Sequence, residues 1–215
     1  MVEAFIFDMD GVIVDSEDYW EDSAEDLIKE LGAPEDFDFS DLTGMAIDDI
    51  YEEIVPQLDE EITSEEFSQA FDKQAEQLYR EKVELRPSLR KALETLRLSD
   101  VDVGLCSSSP KSWIKIVLNR FELEKFFDAV ISSEDIPVKS KPDPDIYEYA
   151  AERLDTAPEQ CIVVEDSENG VEAAERAGMN CIAIDGTRKQ GLGKADFQVE
   201  NGEELLQKIK QLTKK

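Results

Sequence analysis

Ala4-Phe5-Ile6-Phe7-Asp8-Met9-Asp10-Gly11 joins an unbroken apolar run to two aspartates one residue apart and a glycine. Four apolar residues without polar alternation read as a strand buried on both faces, the kind that occupies the middle of a parallel sheet. Open α/β sheets place their ligand chemistry at the carboxyl ends of such strands. Asp-x-Asp by itself says little, because the chain has three other such pairs, at 36/38, 100/102 and 143/145. Only Asp8 and Asp10 directly follow a buried-type strand.

Outward from this stretch the pattern changes twice. After Val12-Ile13-Val14-Asp15-Ser16, apolar residues recur at Trp20, Ala24, Leu27, Ile28 and Leu31, one face of a helix stopped by Gly32. A second helix is predicted over 48–55, ended or kinked by Pro56. A third opens on the capping-box pattern Thr63-Ser64-Glu65-Glu66. Residues 16–83 thus read as all-helical. From Leu85 onward, helices at 88–97, 111–120, 144–154, 168–177 and 203–212 alternate with strands at 101–106, 129–131, 161–164, 181–184 and 197–199. Repeated units of this length predict an α/β fold, a Rossmann-like, doubly wound parallel sheet built from 1–15 plus 84–215, with 16–83 inserted as an α-helical cap.

Composition sets the outer limits. The chain has 215 residues, enough to bury a sizeable core, with 52 acidic against 23 basic residues for a formal charge of −29. Such a field opposes nucleic acid and anionic membranes, so neither is expected as a partner. No apolar run approaches a membrane span, and no basic region precedes an apolar segment at the start, so a cytoplasmic protein is expected. Cys106, Cys161 and Cys181 sit in or beside apolar runs and read as buried free thiols. The chain has no histidine. Ser-His-Asp and Cys-His catalysis, a histidine base and His-ligated zinc are thereby excluded.

A parallel sheet brings the strand ends to one edge. Beside Asp8 this gathers Ser107-Ser108-Ser109, Glu165-Asp166-Ser167 and the loop Val138-Lys139-Ser140-Lys141-Pro142-Asp143-Pro144. Clustered carboxylates raise one another's pKa and invite a hard divalent cation, and oxygen-only ligands open to phosphate favour Mg²⁺. With a lysine, that cation would neutralise a phosphate the rest of the surface repels. A serine hydroxyl and backbone N–H groups can hold the phosphate oxygens. Asp8 can attack phosphorus, and Asp10 can protonate the leaving oxygen and then activate water, as a histidine otherwise would.

These motifs, in this order, resemble those of the haloacid-dehalogenase-like superfamily, in particular its phosphatases and sugar-phosphate mutases with a helical cap after the first strand. Phe7-Asp8-Met9-Asp10-Gly11-Val12-Ile13-Val14-Asp15-Ser16-Glu17 is similar to the first motif, Cys106-Ser107-Ser108-Ser109 to the second, Ser140-Lys141-Pro142-Asp143-Pro144 to the third and Val163-Val164-Glu165-Asp166-Ser167-Glu168-Asn169-Gly170 to the fourth. The resemblance implies Asp8 as nucleophile, Asp10 as acid/base, Lys141 as catalytic lysine and Ser107 as phosphate-binding hydroxyl. It implies Mg²⁺ on Asp8, Asp10 and Asp166, with Glu165 as a further candidate. Thr43 and Gly44, with Met45 and Ile47, are the candidate cap-loop contacts to substrate. Ser108 and Ser109 either cap the helix after Pro110 or add N–H groups to the phosphate site. Asp143 reads as an N-cap, Asp15 as a turn brace, Lys139 as a solvated lysine and Trp20 as core.

The expected activity is hydrolysis of a small phosphorylated metabolite, a sugar phosphate or similar, by a monomer or weak dimer. A β-phosphoglucomutase-like transfer is the alternative. Members of that type resemble this chain but carry a histidine and an arginine where Trp20 and Ile47 stand here. A non-catalytic magnesium-binding scaffold is the third reading.

Overall fold

The computed structural model describes residues 2–33, 45–58, 62–136, 140–185 and 192–214. β1 (Ala4–Phe7) is fully buried along its length. It runs into a short β2 (Val14–Asp15), and the α-helices α1 (Glu17–Glu30), α2 (Ile47–Ile54) and α3 (Ser64–Gln77) follow among the described residues. β3 (Glu84–Leu85) then pairs antiparallel with β2, Val14 opposite Leu85 and Asp15 opposite Glu84. The helical excursion therefore leaves and re-enters through two adjacent strands. Each strand is two residues long, too short for a period-2 pattern to register in sequence. Asp15 lies within this ribbon.

The remaining chain alternates α4 (Leu89–Arg97), β4 (Asp102–Ser107), α5 (Lys111–Arg120), β5 (Ala129–Ser132), α6 (Asp145–Arg153), β6 (Cys161–Glu165), α7 (Glu168–Arg176), β7 (Asn180–Ile184), β8 (Phe197–Val199) and α8 (Gly202–Leu212). Six strands form one sheet in the order β5-β4-β1-β6-β7-β8. Its pairings are parallel, with Phe7 beside Leu105 on one side and Val164 on the other. β1 is therefore central, and the residue after it is flanked by the ends of β4 and β6.

Successive β1 side chains divide the core between the two faces, as the pleat requires. Phe5 and Phe7 pack with the apolar faces of α4, α5 and α8, and this cluster runs on into the inserted helices through Ile28, Phe67 and Phe71. Ala4 and Ile6 face α6 and α7. Each large side chain so buried stabilises the fold by roughly 1.5–3 kcal/mol.

Local signals explain the ends of the elements. Gly32 and Gly178 take positive φ, 93° and 73°, just past α1 and α7. Thr63 and Glu66 make both halves of the capping box on α3. Pro56 does not kink α2. The helix closes at Ile54, and Pro56 sits in the first turn of a 3₁₀ segment, Val55–Gln57, where its missing N–H costs nothing. Asp143 is not an N-cap: α6 starts at Asp145 without a side-chain cap, and Asp143 donates its own N–H to the Ser140 carbonyl in the preceding turn while its carboxylate lies 3.6 Å from Arg176. Ser108 and Ser109 do not cap α5, which has no side-chain cap either. The three cysteines are free and buried. No helix among the described residues is long and apolar enough to cross a membrane.

Candidate active site

Asp8 is the first residue beyond β1, and its backbone N–H still bonds the Val164 carbonyl at 3.0 Å, so the sheet sets its position. Its side chain meets Lys141, 133 residues later, whose Nζ lies 2.6 Å from Asp8 Oδ1 and 2.6 Å from Glu165 Oε1. Lys141 is 2% exposed, which leaves one ammonium buried between two carboxylates. Burial alone would lower its pKa, but the charges of Asp8 and Glu165 outweigh that and hold it well above the ordinary lysine value. Burial pushes the Asp8 carboxyl up to about 8; Lys141 opposes the rise, and the negative charges of Glu165 and Asp10 add to it.

Glu165 is held through both carboxylate oxygens. Oε1 accepts from Lys141 and from the Tyr147 hydroxyl at 2.6 Å, and Oε2 accepts from the Asp166 N–H, the Ser167 N–H and the Ser167 hydroxyl at 3.0, 3.2 and 3.0 Å. Both oxygens are thus engaged. Burial would raise its pKa, but Lys141 and these donors hold it below the usual range. A Cβ on Gly170 would stand 1.9 Å from its carboxyl carbon, so that glycine makes room for it. Tyr147 also places its ring 5.0 Å from Lys141 Nζ, a cation–π contact under the same ion pair.

Asp10 is held by hydroxyls. Ser16 and Tyr79 donate to Oδ1 at 2.7 and 2.6 Å, and Ser109 donates to Oδ2 at 2.8 Å. Burial raises its pKa, and the donors counter part of that rise. Ser109 does not cap α5, and its hydroxyl reaches Asp10. Ser107 ends β4, nearly fully buried, and accepts the Ser109 N–H at 3.1 Å. Ser132 and Ser133, at the end of β5, donate to the carbonyls of Ser109 and Ser108 and pin this loop.

Gly11 has φ of 71°, and a Cβ there would fall 1.7 Å from Asp166 Oδ2. The Asp166 carboxylate therefore lies directly against the turn after Asp10, beneath the strand end that carries Asp8. The Arg86 guanidinium, just past the ribbon, donates to the Gly11 carbonyl and pairs with Asp185 at 3.1 Å, which braces the same turn. Gly11→Ala is expected to lower stability by about 2 kcal/mol or more in chemical denaturation. Turnover should fall with it, because the strained φ and the clash with Asp166 act together; a variant of unaltered stability would remove this account of the glycine.

The inserted helices meet this edge directly. The Ala46 N–H bonds Ser140 Oγ at 2.9 Å, and the Ser140 N–H bonds Asp49 Oδ2 at 3.2 Å, one residue from Lys141. Trp20 donates to the Tyr79 hydroxyl at 3.0 Å and stacks on Trp113 with ring centres 5.3 Å apart. Met45 and Ile47 are partly buried against apolar neighbours. Thr43, Gly44 and Lys139 lie outside the described residues. Tyr79, Tyr147 and Arg86 carried no motif, and Ser16 stands inside the first motif with no role assigned to it by the sequence. A tyrosine amid apolar helix residues reads as core until its hydroxyl partner is known.

Among the described residues, no three acidic or cysteine side chains converge closely enough to form a ready metal cage. The chemistry of the oxygens is nonetheless that of a hard cation: Asp8 and Glu165 flank the lysine, Asp10 follows two residues after Asp8, Asp166 lies against the turn after Asp10, and burial, with the charges of Glu165 and Asp10, raises the Asp8 pKa. Asp8 and Asp166 fit such an ion; Asp10 and Glu165, the other candidate ligands, carry three and five hydrogen bonds on their carboxylates among the described residues.

A central parallel strand ending in Asp8, a buried lysine on that aspartate and helices inserted behind it define the class. Residues 5–184 match the family model of the haloacid dehalogenase-like hydrolases, and the chain belongs to that family. It is 31% identical to the phosphorylated carbohydrates phosphatase of Thermotoga maritima over 84% of each chain, and 30% identical to the β-phosphoglucomutase of Bacillus subtilis over 95% of this chain and 92% of that one. The crystal structure of CbbY from Rhodobacter sphaeroides in complex with phosphate superposes with a TM-score of 0.81 at 23% identity, covering 95% of this chain and 96% of that one, a likeness of fold.

Proposed function

We propose that this hydrolase is a Mg²⁺-dependent phosphatase that cleaves a small phosphate monoester through an aspartyl-phosphate on Asp8. The observation that carries the reading is the Lys141–Asp8 pair at the end of β1, two residues before an aspartate held by three hydroxyls. A carboxylate cannot readily approach a dianionic phosphate in a chain of charge −29 without local positive charge. Lys141 supplies part of it. Mg²⁺ on Asp8 and Asp166 would supply the rest as a Lewis acid that offsets the phosphoryl charge. Ser107 and the backbone N–H groups of the loop after β4 would bind the phosphoryl oxygens.

In this mechanism an Asp8 oxygen forms a bond to phosphorus as the ester P–O bond breaks, and Asp10 gives its proton to the departing alcohol. Asp10 then takes a proton from water, whose oxygen attacks phosphorus and displaces Asp8, releasing inorganic phosphate. Residues 16–83 act as a cap over the strand ends. The contacts of Ala46 and Asp49 with Ser140, and of Trp113 Nε1 with Asp72 at 2.6 Å, are the contacts that would close it. Closure would exclude water from the acyl-phosphate chemistry until the leaving group has gone.

Relatives bearing both phosphatase and mutase names keep the transfer reading in view. Trp20 and Ile47 weigh against it here. Trp20 is committed to Tyr79 and to ring stacking, Ile47 packs against apolar neighbours, and neither brings a positive charge to a second phosphate. A panel of phosphorylated metabolites incubated with Mg²⁺ separates the readings. Release of inorganic phosphate, lost on chelation and restored by Mg²⁺, is the expected result. Conversion of glucose 1-phosphate to glucose 6-phosphate would make the chain a mutase, and no turnover across the panel would favour a binding role.

A further inference from the structure

The three hydroxyls on Asp10 are not equivalent. Serine hydroxyls rotate freely and can donate or accept as the moment requires. The Tyr79 hydroxyl has less freedom, because its oxygen accepts the indole N–H of Trp20 at 3.0 Å, which can only donate, and is also hydrogen-bonded by Ser109, which leaves the Asp10 carboxylate to take its proton. The phenolic proton is therefore directed at Asp10 Oδ1, 2.6 Å away, a length ordinary for a hydroxyl on a carboxylate.

The ring itself is fixed. Tyr79 is fully buried, its centroid 6.1 Å from that of Trp20 and 5.9 Å from that of Trp113. Trp20 stacks on Trp113 at 5.3 Å, and the Trp113 N–H is anchored on Asp72. A phenol with two torsions, packed beside a pair of stacked indoles, delivers its hydroxyl to one place at little further entropic cost. Acid–base transfer is sensitive to such placement, because the proton must move along one line to the leaving oxygen.

We propose that Tyr79 is a positioning residue for proton transfer by Asp10, with Trp20 setting the direction of its hydrogen bond. This rests on the acid/base reading of Asp10 given above. Tyr79 acts through Asp10 and need not touch substrate.

Tyr79→Phe keeps the ring and removes the single hydroxyl, and two substrates then separate positioning from packing. An alkyl phosphate needs a proton on its leaving alkoxide, whereas p-nitrophenyl phosphate releases a stable phenolate without one. Because kcat/KM covers binding and the steps through P–O cleavage, it leaves out the later hydrolysis, in which Asp10 acts as base whichever substrate was used. Tyr79→Phe is expected to lower kcat/KM for the alkyl ester by about 30-fold, carried in kcat, since general acid catalysis is worth roughly 10²–10⁴ and only part of it is lost. The ratio of the two substrates should shift against the alkyl ester by about tenfold or more. Trp20→Phe should shift the ratio in the same sense but less, since the hydroxyl remains and only its direction is released. Equal losses on both substrates, or no loss on the alkyl ester, would overturn the proposal. Asp10→Asn, assayed alongside, tells the two failures apart. If it discriminates between the substrates and Tyr79→Phe does not, Tyr79 is structural and the acid/base reading stands. If Asp10→Asn slows both equally, the acid/base reading falls and the proposal falls with it.

Discussion

Replacing Asp8 with asparagine is expected to reduce turnover of every phosphate monoester by about 10⁴-fold or more, the scale on which removal of a covalent nucleophile acts. The amide keeps the shape of the side chain but cannot form a stable bond to phosphorus. Lys141 keeps Glu165 as a partner at 2.6 Å, so the buried ammonium is not orphaned. The fold should therefore survive, and in metal-free buffer the variant should be the more stable protein at alkaline pH. The sign follows from the raised carboxyl. A group whose folded pKa rises from 3.8 to about 8 contributes its stability fully below the unfolded value and loses it as pH climbs through about 8, where ionisation in the buried site becomes costly. Asparagine mimics the neutral form at all pH. Thermal melts in the presence of chelator should coincide near pH 4 and separate as pH rises, with the variant melting higher. Retention of wild-type rate by Asp8→Asn would end the aspartyl-phosphate mechanism, and melts that separate in the opposite sense would contradict the burial account of Asp8.

Lys141→Ala should strike activity and stability together. The rate loses the local positive charge that admits phosphate, and about 10³-fold or more is expected from removing a transition-state cation in a dry site. The stability loss has a separate cause. Lys141 is 2% exposed between Asp8 and Glu165, and removing it leaves the ionised Glu165 buried without its counter-charge, at a cost of about 3–5 kcal/mol. Denaturant midpoints would show it, and the deficit should shrink as acid protonates Glu165. An active Lys141→Ala enzyme would move the catalytic lysine to Lys139.

How much of this was legible follows from how local each signal is. The apolar run before Asp8, the strand–helix alternation after residue 84 and the box at Thr63–Glu66 are short-range patterns, and the structure follows them closely. Helix α5 and strand β8 fall where periodicity put them. The two-residue strands of the ribbon had no period to read, and the turn at Asp143 closes on a partner, Arg176, from another helix. The motif residues Asp8, Ser107, Lys141 and Asp166 were each recognisable in their own segments.

What the sequence determined by itself, then, is the sheet, its order of strand and helix, and the residue types that reach its edge, because burial period, turn chemistry and family motif are properties of neighbouring residues. The tertiary structure alone decided the partners. Asp10 takes its hydroxyls from positions 6, 69 and 99 residues away, and Lys141 finds Asp8 across 133. Glu165 belongs to the same motif as Asp166, yet its oxygens are spent on Lys141, Tyr147 and the turn that follows, while the Asp166 carboxylate lies against Gly11. Adjacent side chains leave a strand end in opposite directions, and only the fold shows what each one meets.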